Sequence, residues 1–230
     1  MTAGLLICDY VLPEWQAKYG AYSDMFTQLF PEFNWRFYEV QKDQYPEDLE
    51  ECDIYFATGS RHAAYDDLPW IPPLEAFIRK LHDQKRYFVG VCFGHQLMGA
   101  ALGGTVKKAE QGWCVGVHTF DLKIKKRWMK PYQNPIHLLM MCQDQIVVLP
   151  PDSEVLASSS LCPYGMIQVG ETMLGIQAHP EFSKAYDQQL MEARRQRMGN
   201  AVVDAGILSL QLKVHDSVFK QWVLAFLSDT

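Results

Sequence analysis

Residues 86–104 read RYFVGVCFGHQLMGAALGG and combine three successive patterns. The short apolar run that ends at Gly90 and Val91 is typical of a buried strand. Small and apolar residues then recur at helical spacing at Leu97 and Ala100, and a glycine pair ends the pattern. This region therefore predicts a strand, a sharp turn and a helix in direct succession.

The predicted turn has the form G-x-C-x-G, with Cys92 between Gly90 and Gly94. Glycines two residues either side of a nucleophile let a strand-to-helix turn close without clashes, as in G-x-S-x-G nucleophile elbows. A thiol at that point lies over the helix N-terminus, where the helix dipole and free N–H groups favour the thiolate. An isolated cysteine would be interpreted as a small buried hydrophobe. The two flanking glycines favour a nucleophile instead.

The first half of the chain alternates strand and helix patterns. Strands are predicted at residues 4–10, 35–40, 53–57 and 87–91, and helices at residues 22–30, 72–85 and 93–102. This order predicts a doubly wound α/β sheet, whose ligands bind at the carboxyl ends of the strands. Gly59 and Cys92 both fall at such ends.

The sequence pattern changes after residue 105, in the second half of the chain. Alternating residues 113–124 indicate antiparallel strands, and short strands follow at 146–149 and 154–157. Residues 165–169 and 173–178 predict a hairpin, and helices are predicted at 183–198 and 214–227. We therefore expect a mostly parallel sheet with antiparallel strands added by the second half.

Two charged segments have no assigned role in the sequence. Residues 123–130 carry five basic side chains in eight positions, which suits either a docking surface for an acidic partner or a solvated hairpin loop. Residues 192–197 form a charged helical face that we interpret as solvent-exposed.

Composition limits the class of protein. The chain has 230 residues, 48% hydrophobic and 21% charged, with no Pro/Gly/Ser-rich linker, so we expect one domain over residues 1–230. Its net charge of −6 argues against nucleic-acid binding. No apolar run approaches the roughly 18–20 residues that span a bilayer, and the first residues lack the basic region of a signal peptide.

The six cysteines are spread through apolar runs without a C-x-x-C pair. This distribution favours reduced, buried thiols in a cytoplasmic protein over a disulfide framework or a metal site. No cofactor is indicated, and no P-loop is present.

His179 differs from the other six histidines because it ends an apolar strand and precedes Pro180. Proline excludes helix and keeps its predecessor extended. Residues two apart in an extended segment share a face, so Glu181 can turn toward His179 and orient its imidazole. With Cys92, these residues predict a Cys-His-Glu triad for covalent acyl transfer.

Two motifs resemble the hallmarks of the class I (triad) glutamine amidotransferases. Gly90-Val91-Cys92-Phe93-Gly94-His95-Gln96 is similar to the family's nucleophile motif, and Gly175-Ile176-Gln177-Ala178-His179-Pro180-Glu181-Phe182 to its second hallmark. The resemblance covers nearly the whole chain and is strongest to the free-standing, GMP-synthase-like group. It implies a three-layer, flavodoxin-like α/β/α fold.

The resemblance also implies a substrate and a reaction. Cys92 would attack the side-chain amide of glutamine and form a γ-glutamyl thioester, while two backbone N–H groups hold the oxyanion. The residues expected to bind the oxyanion or the substrate are Gly59, Ser60, Phe93, Gln96, Gly165 and Met166. One departure is Cys142, which stands where relatives often have a histidine.

Three functions stay open at this point. The chain has no room for an ATP-binding synthetase domain, so the first is a glutaminase that passes ammonia to a separate synthetase. The second is a stand-alone hydrolase of γ-glutamyl compounds, which would use the same site. The third is a non-catalytic regulatory protein, which the intact triad disfavours.

Overall fold

The computed structural model describes residues 1–228, in which strands and helices alternate in the first half, seven consecutive strands follow, and four helices end the chain. Asp229 and Thr230, the end of the predicted 1–230 domain, lie outside the described residues. The strands are β1 Thr2–Ile7, β2 Asn34–Glu39, β3 Ile54–Ala57, β4 Tyr87–Val91, β5 Thr105–Lys108, β6 Cys114–Leu122, β7 Ile136–Cys142, β8 Asp144–Val148, β9 Ser153–Ser158, β10 Met166–Val169 and β11 Met173–Ile176. The helices are α1 Pro13–Tyr19, α2 Tyr22–Leu29, α3 Ile71–Asp83, α4 Phe93–Ala101, α5 Lys184–Ala193, α6 Arg195–Met198, α7 Asn200–Ser209 and α8 Asp216–Phe226.

One large sheet crosses the molecule in the order β2-β1-β3-β4-β11-β10-β9-β6-β7. The strands from β2 to β11 in this order pair in parallel, and those from β11 to β7 pair antiparallel. A short separate ribbon pairs β5 with β8. The predicted doubly wound α/β sheet, with antiparallel strands supplied by the second half, is confirmed.

Helices cover both faces of this sheet and form two apolar layers. Within β1, Leu5 packs into the layer that contains α2 and α8, whereas Leu6 packs into the layer that contains α3 and α4. Both are fully buried. Strands buried on both faces read as continuous apolar runs, which is why the sequence revealed them readily.

The junction of β4 and α4 is packed backbone against backbone. A Cβ atom on Gly94 would lie 2.5 Å from the carbonyl oxygen of Ala57 in β3, and one on Gly90 would lie 2.5 Å from the backbone of Gly94. No side chain fits at either position. The glycine pair therefore lets α4 start directly above the neighbouring strand.

Several elements lacked a recognisable sequence pattern. Helix α1 buries none of its side chains, so it has no apolar stripe, and α7 is apolar or small on most faces. Strands β5 and β7 were also not predicted. The predicted helix at 183–198 is instead two helices that meet at Arg194, and Gly199 (φ +90°) separates them from α7. The antiparallel strands indicated by residues 113–124 are the single strand β6, Cys114–Leu122.

The basic segment, residues 123–130, lies in the connection between β6 and β7, so the hairpin-loop interpretation is confirmed. It is not wholly solvated, because Trp128 and Met129 are buried and Lys126 pairs with Glu154. Part of it lines a depression together with Tyr87, the first residue of β4. Cys92 follows the other end of β4, so the basic segment lies far from the thiol.

Two further findings concern membranes and thiols. Over the described part of the chain, no helix has both the length and the apolar character needed to cross a membrane. All six cysteines are buried, as their places in apolar runs predict, and each of them is a free thiol.

Gly94→Ala is expected to lower the free energy of unfolding by more than about 2 kcal/mol, because the new methyl group meets a backbone carbonyl that cannot move independently. The matched control is Gly99→Ala in the same helix, where the new Cβ meets the tip of the Ile146 side chain at 2.5 Å. That tip can rotate, so the control should cost less than about 1 kcal/mol. Urea unfolding of both variants measures the difference. Equal costs would contradict this account of the junction.

Candidate active site

Cys92 occupies a strained turn between β4 and α4. Its backbone angles are φ +52° and ψ −99°, a conformation that costs a non-glycine residue on the order of 1–3 kcal/mol. Two hydrogen bonds hold it there: its N–H donates to Ile176 (2.8 Å), and its carbonyl accepts from Gln96 (3.0 Å). The turn therefore projects the thiol from the end of the central strand, as the glycine spacing predicts.

His179 lies just beyond β11, the strand that pairs with β4. Its backbone N–H donates to the carbonyl of Leu139 in β7 (2.7 Å), and its ring stacks on Phe182 with centroids 4.0 Å apart. Its Nδ1 lies 2.7 Å from Oε1 of Glu181, and both side chains are buried. Glu181 therefore reaches back past Pro180 to His179 as expected, but through a turn and not an extended segment, because the N–H of Phe182 donates to the carbonyl of His179 (3.4 Å).

Glu181 engages Nδ1 of His179, which leaves the second imidazole nitrogen for Cys92, a side chain close enough to act on the imidazole electrostatically. Burial disfavours the imidazolium, but the negative charges of Cys92 and Glu181 outweigh this effect and raise the pKa of His179 to about 10. A buried cation between two anions is the ground state expected of a thiolate–imidazolium pair oriented by a carboxylate.

Gly59 closes one side of this pair. A Cβ atom at position 59 would lie 2.7 Å from Cε1 of His179, so only glycine lets the loop after β3 approach the imidazole this closely. The same loop is tied to the elbow, because the carbonyl of Thr58 accepts from the N–H of Gly94 (3.2 Å). Among the described residues, the N–H groups of Gly59 and Phe93 have no hydrogen-bond acceptor. Both are available to a ligand.

A small cavity, open to solvent, leads to Cys92. Ser60 and Gln96, two of the residues expected to bind the substrate, lie in its wall. The amide nitrogen of Gln96 donates to the carbonyl of Asp144 (2.7 Å) and to Oε1 of Gln177 (3.2 Å). These bonds hold the Gln96 side chain in place at the edge of the cavity.

Gly165 and Met166 are not brought to this cavity. Gly165 packs against Phe120, and its carbonyl already accepts from the N–H of Gln177 (2.8 Å), while Met166 is buried in β10. The wall opposite the elbow is formed instead by residues 141–144, at the end of β7 and the start of β8. The sequence signal for this wall was Cys142, the noted departure from relatives.

The charged face at 192–197 also differs from its interpretation as wholly solvated. Arg194 and Arg197 line the cavity, together with Trp113. Asp187, which the sequence did not single out, is fully buried behind the triad. Burial raises the pKa of the Asp187 carboxyl to about 7, against the attraction of the His179 cation.

His95 belongs to the nucleophile motif but lies away from the thiol. It is fully buried, and a Cβ on Gly175 would lie 2.4 Å from its Nδ1, so its ring packs against the middle of β11. Burial lowers the pKa of His95 to about 3. His95 therefore points away from Cys92, although it belongs to the same motif.

Comparisons with known proteins identify the family and the fold. The family model described as glutamine amidotransferase class-I matches residues 37–195. γ-Glutamyl peptidase 4 of Arabidopsis thaliana is 34% identical over 72% of this chain and 70% of its own. A glutamine-hydrolyzing GMP synthase subunit of Sulfolobus acidocaldarius is 26% identical over 62% of this chain and 74% of its own. A crystal structure of a glutamine amidotransferase from Thermotoga maritima superposes with a TM-score of 0.77, at 16% identity and 98% coverage of both chains.

The raised pKa of His179 should depend on its two anionic neighbours, because burial alone lowers it. In Cys92→Ala combined with Glu181→Gln, the pKa should fall from about 10 to below its ordinary value. Imidazole ¹⁵N shifts followed from pH 5 to 10 report the titration directly. Cys52→Ala, a buried thiol remote from the site, is the control and should leave the curve unchanged. A wild-type His179 that titrates near its ordinary value would contradict the ion pair.

Proposed function

This chain belongs to the class I glutamine amidotransferase family, whose members are cysteine-dependent amide hydrolases, and we propose that it hydrolyses the γ-amide bond of γ-glutamyl compounds. One observation carries the proposal: the imidazole of His179, hydrogen-bonded to Glu181 (2.7 Å), lies beside the Cys92 thiol at the end of the central strand. The proposal treats residues 1–230 as one catalytic domain that works in the cytoplasm.

In the first half-reaction, the Cys92 thiolate attacks the γ-carbonyl carbon of the substrate. The carbonyl oxygen becomes an oxyanion, which accepts hydrogen bonds from the N–H groups of Gly59 and Phe93. The protonated His179 gives its proton to the departing nitrogen, so the C–N bond breaks as the amine leaves. A γ-glutamyl thioester on Cys92 remains, and His179 is neutral.

In the second half-reaction, neutral His179 takes a proton from water, and the resulting hydroxide adds to the thioester carbon. The same two N–H groups hold the second oxyanion. Its collapse breaks the C–S bond, releases glutamate and restores the thiolate beside the imidazolium. Glu181 keeps one imidazole tautomer throughout by accepting from Nδ1.

The substrate is proposed from the relatives and from the cavity. γ-Glutamyl peptidase 4 matches this chain over nearly three-quarters of its length, which favours a γ-glutamyl peptide or a similar small molecule. Ser60, Gln96 and residues 141–144, which line the same cavity, would hold the γ-glutamyl unit. No metal or nucleic acid takes part in this proposal.

A glutaminase that passes ammonia to a separate synthetase is the second candidate. The similarity to the glutamine-hydrolyzing GMP synthase subunit of Sulfolobus acidocaldarius favours it. An ammonia acceptor would have to dock near the mouth of the Cys92 cavity. The basic segment at 123–130 lies toward the opposite end of β4, which argues against that segment as the docking surface.

A substrate panel separates the candidates. Purified protein is assayed with glutamine and with γ-glutamyl dipeptides, and released glutamate is measured. We expect the dipeptides to be cleaved without any partner and faster than glutamine. Ammonia released from glutamine only after a synthetase is added would support the second candidate. Absence of turnover in a folded protein would overturn both in favour of a regulatory role.

Substitutions in the triad should fall into an order set by their roles. Cys92→Ala and His179→Asn should each lower kcat by about 10⁴-fold or more, because nucleophile and base act as one unit. Glu181→Gln should cost less, since the imidazole keeps part of its orientation. Cys52→Ala is the matched control and should retain full activity. Undiminished hydrolysis by His179→Asn would remove His179 from the mechanism.

A further inference from the structure

Two arginines line the cavity without a carboxylate to neutralise them. Across residues 1–228, neither Arg194 nor Arg197 forms an ion pair, although both belong to the wall around Cys92. Their neighbour Arg195 has the opposite arrangement: it pairs with Glu192 (2.8 Å) and Asp204 (2.6 Å) and does not line the cavity. Within this short segment, Arg195 is therefore held by carboxylates, whereas Arg194 and Arg197 face the cavity.

Arg194 is held at the break between α5 and α6. Its N–H donates to the carbonyl of Leu190 (3.1 Å), and its own carbonyl accepts from the N–H groups of Arg197 (2.9 Å) and Met198 (3.0 Å). Its side chain is half-buried. The backbone break therefore turns a long cationic side chain toward the cavity and restricts its motion.

Arg197 is placed by an aromatic contact. Its guanidinium carbon lies 5.0 Å from the centre of the Trp113 ring, and Trp113 also lines the cavity. Stacking through the planar face leaves the N–H edge of a guanidinium free for a bidentate carboxylate. Arg197 is exposed, so this edge stands at the mouth of the cavity.

Other charged groups near the cavity form no ion pair with the two arginines. Arg61 pairs with Asp9 (2.9 Å), and Asp144, which also lines the cavity, accepts from the hydroxyl of Tyr65 (2.6 Å). Asp187 attracts Arg194 electrostatically, but neither of its buried oxygens is hydrogen-bonded by a side chain. Two cations without an ion-pair partner in the cavity wall would attract an anionic ligand.

The position of these arginines indicates which part of a substrate they meet. The γ-carbonyl must reach Cys92, which is only 5% exposed, and the departing amine must leave through the mouth. Arg197 stands at that mouth. Ammonia, the leaving group from glutamine, would use neither arginine.

We propose that Arg194 and Arg197 form a subsite for a carboxylate on the leaving group, so that the preferred substrates are γ-glutamyl amino acids or peptides with a free C-terminal carboxylate. This inference rests on the proposed γ-glutamyl hydrolysis and specifies its substrate class. The carboxylate accepts charge-assisted hydrogen bonds from the guanidinium groups, which orient the scissile amide over Cys92.

The test compares γ-glutamyl-glycine with γ-glutamyl-glycinamide, which differ only in the leaving-group carboxylate. Wild-type protein should prefer the acid by about ten- to a hundred-fold in kcat/KM, mainly through KM. Arg194→Gln and Arg197→Gln should each reduce this preference several-fold, and the double variant should abolish it. Arg195→Gln is the matched control and should keep the wild-type preference. Arg197 is exposed, so its variant tests the subsite even if Arg194→Gln unfolds.

The outcomes separate this inference from the proposed function. Failure of the wild-type protein to cleave any γ-glutamyl compound would overturn the proposed function itself. Equal cleavage of acid and amide would leave the function standing and overturn the subsite. If the arginine variants weaken both substrates by one common factor, the arginines bind the α-carboxylate of the γ-glutamyl unit, and the leaving-group assignment is wrong.

Discussion

Cys92 adopts a left-handed backbone conformation that a non-glycine residue keeps only when its surroundings impose it. Here the surroundings are backbone: β11 accepts its N–H, α4 begins at the next residue, and β3 lies against Gly94 without space for a Cβ. The parallel pairing of β3, β4 and β11 is therefore what places the thiol. Everything else in the site is positioned relative to that turn.

The order of strands in the sheet explains how distant residues meet. Strand β11 follows β4 by more than eighty residues in the chain but pairs with it directly, so both strands end at the same edge. His179 leaves β11 there and meets Cys92, while the loop after β3 brings Gly59 against the imidazole from the other side. The two antiparallel strands β6 and β7 extend the sheet, and the chain beyond β7 forms the opposite wall.

Charge in the cavity has two distinct origins. In the triad, Cys92 and Glu181 raise the pKa of the buried His179 against the effect of its burial, so the three side chains act as one unit. Arg194 and Arg197 instead stand in a partly solvated wall with no carboxylate partner in the described chain, on a protein that is acidic overall. The buried triad is suited to proton transfer. The two unpaired arginines at the mouth of the cavity are suited to binding an anion.

The sequence by itself determined the features that depend on local sterics. Glycines around Cys92, a proline after His179 and continuous apolar strands each constrain their own neighbourhood, so the elbow, the parallel half of the sheet and the contact between His179 and Glu181 could be predicted.

The tertiary structure alone decided what surrounds the thiol. Gly165 and Met166 precede the second motif in sequence, yet the pairing of β10 with β9 and β11 buries them elsewhere. The wall comes instead from residues 141–144, and Arg194 turns inward only because two helices meet at that residue. Such positions follow from long-range pairing and from one backbone break, neither of which leaves a periodic pattern in the chain.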